Sequence, residues 1–325
     1  MTSSLEREKE EQEDPAYLNF VNNCRSLSTR RTYENGLLEF MAFTNIQRYS
    51  DICKMQPKEL EQKIIAFVVA RNNTRKAATV RMNVSAIKHF CSMNDITQQI
   101  NFARISKYVK SDDGPNTHRA RPYTREEIQK ILEECGEERQ RVVVLLLVST
   151  GMRIGAVADI KIADIEKITS YNNKEGERVE IPAIYKIVVY PKTKQEYVAL
   201  STPEAAKRID RYLEFRKRKG EHLTPNSPLI RENFDDKDAH RPQNITTFCL
   251  RKVLERSMFN GGIRTKGDNK FERKQVMIYH GLRKWWEHQV LDAGVNALIE
   301  QTLIGHRGNQ LLNSYYRPTL DKLVS

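Results

Sequence analysis

A break in hydrophobic periodicity at residues 110–121 constrains this chain more than any other feature. Lys110 is followed by SDDGPNTHRAR, in which Gly, Pro, Asn and charge stand without any apolar repeat. Such a stretch predicts a linker over 111–121, so the 325 residues must be packed as two bodies rather than one. Its basic end, His118, Arg119 and Arg121, suits either a solvated hinge or a path along a DNA backbone. Before the break, residues 16–110 read as a helical domain of four or five helices. Tyr33, Leu37, Phe40 and Met41 follow Ser28-Thr29 at three- and four-residue steps. Leu60, Ile64, Ile65 and Val68 stripe a second helix, and Val80, Val84, Ile87 and Phe90 a third. Residues 1–14 hold six acids against Arg7 and Lys9. Residues 1–15 are therefore predicted to be a disordered acidic N-terminus.

After the break, residues 122–325 mix periods. Thr124 with Glu126 and Glu127 predicts an N-cap and first helical turn. Arg141–Ser149 is an almost continuous apolar run that Thr150-Gly151 interrupts. Ala183–Tyr190 alternates around Ile184, Ile187 and Val189, and PKTKQ separates it from Glu196–Leu200, which predicts a β-hairpin. Helices are expected over Pro203–Lys219, Phe248–Met258, His280–Ala293 and Ala297–Ile304, with a last short one at Leu312–Tyr316. The fold class is mainly α with a small β-sheet (α+β).

The 54 Lys and Arg against 42 Asp and Glu give a formal charge of +12, which favours a polyanionic partner because neutralised phosphates release counterions. The longest apolar run, Val142–Val148, is too short for a membrane span, and no segment resembles a signal peptide, so a cytoplasmic protein without a membrane partner is expected. Five scattered cysteines without a CxxC pair suggest neither a disulfide framework nor a zinc site. No metal or cofactor is expected.

Five segments of the second domain carry chemistry: Ser149-Thr-Gly-Met-Arg-Ile-Gly155, Tyr190-Pro-Lys-Thr-Lys194, His280-Gly-Leu-Arg283, Leu303-Ile-Gly-His306 and Asn313-Ser-Tyr-Tyr316. Cleaving a phosphodiester without a metal gathers negative charge on the non-bridging oxygens. Guanidinium groups answer that charge with fixed donors that never lose their protons. The leaving oxygen needs a proton, which a lysine on a hairpin can reach. Histidines can manage the nucleophile's proton or hydrogen-bond the phosphate, and a phenol can attack and hold the bond as an ester. This one domain supplies every part. Each residue alone also has an ordinary structural explanation, from helix capping to a solvated turn; the ordered set does not.

These segments resemble the boxes of the tyrosine recombinases, the phage-type integrases with their Xer-like and archaeal-type relatives. Thr150-Gly-Met-Arg-Ile is similar to the first box, His280-Gly-Leu-Arg283 to the H-x-L-R box, and Leu303-Ile-Gly-His306 to the L-G-H step, with a tyrosine nine residues later. The first domain resembles the family's core-binding domain, with Ser28, Thr29 and Tyr33 opening a helix. The resemblance implies that Arg153 and Arg283 clamp the scissile phosphate, Lys192 protonates the leaving hydroxyl, His280 assists proton transfer, His306 hydrogen-bonds the phosphate, and Tyr315 is the nucleophile. It also implies double-stranded DNA as partner, a homotetramer on two duplexes, and association with the nucleoid.

Three departures leave alternatives open. Ala156 stands where the family usually has an acid, which puts the local rigidity of the box in question. Lys194 competes with Lys192. Tyr316 adjoins Tyr315, and on one helix their side chains diverge by about 100°, so only one can face the phosphate. The basic run Lys207, Arg208, Arg211, Arg216, Lys217, Arg218 and Lys219 reads first as a solvated face and second as a DNA phosphate contact. Rival functions are a type IB-like topoisomerase, a DNA-binding protein with a decayed site, and a metal nuclease, for which the sequence offers no carboxylate cluster.

Overall fold

The computed structural model describes residues 14–110, 121–173, 175–232, 242–264, 276–305 and 323. The chain divides into two compact units, Met1–Thr117 and His118–Ser325. No described helix is long and apolar enough to cross a membrane.

The first unit is helical throughout its described part. Its helices are α1 (Pro15–Asn22), α2 (Leu27–Thr44), α3 (Tyr49–Lys54), α4 (Pro57–Asn72), α5 (Ala77–Met93) and α6 (Phe102–Lys107). The predicted stripes become the core: Leu37, Phe40, Leu60, Ile64, Val68, Val80, Ile87 and Phe90 are all buried in one cluster. Two boundaries move. Ser26, not Ser28 or Thr29, caps α2, by accepting the Thr29 N–H. The acidic segment is also ordered earlier than predicted, at Asp14 and Pro15. The Asp14 carboxylate caps α1 through the Ala16 N–H and also accepts the Ser50 N–H at 3.0 Å. Three acceptor contacts, one of them to the Ser50 hydroxyl, give this acid a fixed place that its sequence neighbours do not announce. The other residues of the predicted disordered stretch, and 111–120 of the predicted linker, lie outside the described residues. Arg121 belongs to the second unit, where it pairs with Glu127 and bridges to Val276.

The second unit is assembled around one apolar helix. Its elements are α7 (Arg125–Glu133), α8 (Glu138–Thr150), α9 (Ile154–Asp159), β1 (Ile165–Asn172), β2 (Arg178–Val189), β3 (Tyr197–Leu200), α10 (Pro203–Arg218), α11 (Thr247–Asn260), α12 (Ile278–Asp292) and α13 (Ala297–Ile304). The Thr124 capping box forms as predicted. Residues 142–147 are all buried. A helix that is apolar all round must be covered all round, and α8 packs against α7, α10, α11, α12 and β3. The sheet is antiparallel in the order β1-β2-β3. The predicted hairpin is β2–β3, with Ile187 opposite Ala199 and Val189 opposite Tyr197. The strand β1 and the start of β2 escaped prediction because charge masks their alternation. Glu166 lies opposite Lys186 in the ladder and ion-pairs with it at 2.9 Å.

One residue of the predicted solvated face is misassigned. Lys207, Arg211, Lys217 and Arg218 are exposed, but Arg216 is fully buried. Its Nε donates to Glu221 at 2.9 Å, and its Nη1 to the carbonyls of Pro228 and Leu229 at 2.8 and 2.9 Å. Arg231 donates to the same carboxylate at 2.9 Å. Burial would raise the pKa of Glu221, but hydrogen bonds from Arg216 and Arg231 outweigh it and hold the group below its ordinary value of 4.5.

Removing that carboxylate takes from the buried Arg216 the anion that meets it, and one acceptor from Arg231, so Glu221→Ala is expected to destabilise the second unit by about 3–5 kcal/mol. The sign with pH follows from the depressed pKa. The native state binds fewer protons than the unfolded chain, so the contribution is complete above the ordinary glutamate range and is lost as pH falls through the native pKa. Urea unfolding of wild type and variant at neutral pH and at about pH 4 checks this, with the gap expected to narrow in acid.

Candidate active site

The first box is made by the end of α8. Thr150 folds back, its hydroxyl donating to the Leu146 carbonyl at 2.6 Å and accepting the Met152 N–H at 3.3 Å. Gly151 then ends the helix at φ +61°, in the left-handed region, and a Cβ there would lie 2.9 Å from the Trp286 indole. Both facts require glycine. Arg153 caps α9 with extended backbone. Its side chain is exposed, while Met152 and Ile154 on either side are buried, so an exposed side chain stands on a buried base. Ala156 is buried in the core.

The helix α12 supplies His280 and Arg283, three residues apart and therefore on one face. His280 is exposed. Arg283 is only 7% exposed. Its Nη1 donates to the Gly151 carbonyl at 2.8 Å and its Nη2 to the Ile304 carbonyl at 2.9 Å. One guanidinium thus joins the end of the first box, the H-x-L-R helix and the last turn of α13. Burial lowers the pKa of Arg283, and the charge of Arg153 lowers it further, which places the two guanidinium groups in one electrostatic neighbourhood. The Glu287 carboxylate, one turn along α12, stands 3.7 Å from the Arg283 Nε. A carboxylate therefore does approach this arginine, though from α12 and not from position 156.

Lys192 sits in the turn between β2 and β3. Tyr190 and Lys192 both take left-handed backbone, at φ 54° and 61°, which is costly for residues with a Cβ and persists where other bonds enforce it. Here the Thr193 hydroxyl donates to the Tyr190 carbonyl at 2.8 Å, and the Lys192 N–H donates to Glu196 at 2.6 Å. Lys192 and Lys194 are both exposed. His306, Tyr315 and Tyr316, with the predicted helix at 312–316, lie outside the described residues.

Sequence reasoning missed the groups that surround the arginines. Trp286 is the wall against Gly151. Tyr190 and Tyr197 bracket the lysine turn, with ring centroids 6.4 Å apart, and Arg153 and Arg283 are among the charges acting on both phenols. Two tyrosines flanking PKTKQE were the available signal.

The sequence model of the phage integrase family matches residues 121–321. The tyrosine recombinase XerA of Pyrococcus furiosus is 22% identical over 251 residues, covering 75% of this chain and 71% of that protein. Two solved structures share the fold. The XerH site-specific recombinase bound to palindromic difH substrate, a post-cleavage complex, has a TM-score of 0.61 at 19% identity, covering 97% of this chain and 80% of its own. A lambda integrase tetramer bound to a Holliday junction has a TM-score of 0.59 at 16% identity, covering 94% and 78%.

Gly151→Ala is expected to cost about 2 kcal/mol or more, from left-handed backbone with a Cβ and from overlap with Trp286. Gly136, whose Cβ position is open, provides the control: Gly136→Ala should stay within about 0.5 kcal/mol of wild type. Chemical unfolding of the two variants checks the contrast.

Proposed function

The chain belongs to the phage integrase family of tyrosine recombinases, enzymes that break and rejoin DNA strands, and from that membership we propose that it recombines specific sites in double-stranded DNA through a 3′-phosphotyrosyl intermediate, without a metal. The observation that carries this reading is the Arg283 guanidinium, buried and bonded to Gly151 and Ile304 with Arg153 beside it. Two carbonyls orient that guanidinium, the Glu287 carboxylate lies 3.7 Å from its Nε, and its remaining Nη hydrogens are available to a phosphate.

In this mechanism the Tyr315 phenol oxygen attacks the scissile phosphorus as its proton passes to a base, with His280 assisting. The bond from phosphorus to the 5′ oxygen breaks, and Lys192 protonates that oxygen. Arg153, Arg283 and His306 hold the charge that builds on the non-bridging oxygens. Rejoining is the reverse attack by a 5′ hydroxyl on the ester. A homotetramer acting on two duplexes, in the cytoplasm and on the nucleoid, completes the proposal. The XerA relative and the DNA-bound neighbours support it.

The test is capture of covalent adducts by the full chain from a pool of nicked duplexes with a randomised centre, in EDTA. Adducts should form under chelation, and peptide mass spectrometry should find the nucleotide on Tyr315. A nucleotide on Tyr316 would move the nucleophile, and loss of all adducts on chelation would count against the mechanism. With the enriched duplex, Arg153→Ala and Arg283→Ala should each slow adduct formation on the order of 100- to 1000-fold. DNA binding, spread over many phosphates, should change little.

A further inference from the structure

Tyr197 opens β3 opposite Val189, and its ring shares a sheet face with the buried Ala199. Gly305 ends α13 at φ +69°, and a Cβ there would lie 2.6 Å from the Tyr197 ring, so the last turn of α13 is seated on this phenol. The same turn presents the Ile304 carbonyl to Arg283.

The Tyr197 hydroxyl is buried and makes no hydrogen bond of good geometry among the described residues. Buried polar groups rarely go without a partner. The groups that act on it are Arg283 first, then the Tyr190 phenol and Arg153. Burial pushes its pKa up to about 12, while Arg283 draws it down by charge and by a hydrogen bond. That approach is too loose to count as a formed bond. The phenol is therefore neutral, with an acceptor oxygen facing a group that has only donors. Hydrogen bonds among catalytic groups are often long before substrate binds and tighten in the reacting complex.

We propose that Tyr197 is a positioning residue for Arg283, its hydroxyl closing onto the guanidinium when a phosphate draws that group into line, as a third protein acceptor beside the carbonyls of Gly151 and Ile304. The proposal rests on Arg283 being the phosphate clamp. A phenol suits the task because it orients the guanidinium without cancelling the charge that the phosphate requires, which a carboxylate in the same place would do. Of the five N–H groups, two meet carbonyls and one meets Tyr197; of the two that remain, at least one is an Nη hydrogen open to a phosphate oxygen.

Single-turnover adduct formation on the duplex enriched in the capture experiment tests this as a double-mutant cycle. Tyr197→Phe keeps the ring against Gly305 and removes only the hydroxyl. It should slow adduct formation about tenfold, the size of one hydrogen bond to a charged group, with duplex affinity and Tm unchanged. In an Arg283→Ala background the same substitution should alter the rate less than about twofold, because a residue that acts through another is silent once its target is gone. Tyr197→Phe at wild-type rate beside an impaired Arg283→Ala would overturn this proposal alone, as would an undiminished tenfold loss in the Arg283→Ala background. Arg283→Ala at wild-type rate would overturn the clamp reading and this proposal with it.

Discussion

Two hydrogen bonds from one guanidinium hold the site together. Arg283 reaches the Gly151 carbonyl with one nitrogen and the Ile304 carbonyl with the other. Three segments distant in sequence become neighbours at a single planar fork. The apolar helix α8 delivers Gly151, the seat of α13 on Tyr197 delivers Ile304, and α12 delivers the arginine itself. Gly151 must be glycine because Trp286 stands where a side chain would be. The same turn leads directly into Arg153. An error in any of these elements therefore reaches both guanidinium groups.

The second unit buries arginines in two ways, and the contrast separates structure from chemistry. Arg216 is neutralised. The Glu221 carboxylate meets it, and the carbonyls of Pro228 and Leu229 accept from its Nη1. The charge of that arginine is answered inside the fold. Arg283 is held mainly by two neutral carbonyls, and its nearest carboxylate, Glu287, is at a longer 3.7 Å from Nε, so its charge is answered less closely than that of Arg216. A buried cation whose charge is only loosely answered, within the field of a second cation, is an unfavourable arrangement in isolation. An anion between them relieves it, most of all one whose charge is still growing, as in a transition state.

Much of this was legible in the sequence. Apolar periodicity located α2, α4 and α5, the Thr124 capping box located α7, and the alternation Ile184, Ile187, Val189 located the inner hairpin. Motif order placed Arg153 and Arg283 in one domain. The failures have a common cause, since charge conceals both packing and pairing. β1 carries Glu166 and Lys167, so its alternation is hidden, although Glu166 pairs across the ladder with Lys186. Arg216 stands in a run of seven basic residues between 207 and 219, where nothing local distinguishes the buried one. Tyr197 was passed over because its role depends on Gly305, more than a hundred residues away in the chain.

The central claim is that Arg283 serves the charge on the scissile phosphate. A duplex with a neutral methylphosphonate at the scissile position removes one such charge while leaving the attack and the leaving group in place. Single-turnover cleavage of this duplex by wild type and Arg283→Ala measures the claim directly. The loss of about 100- to 1000-fold on the natural phosphate should shrink to about tenfold or less on the neutral one. An equal loss on both substrates would show that Arg283 maintains structure and does not answer charge.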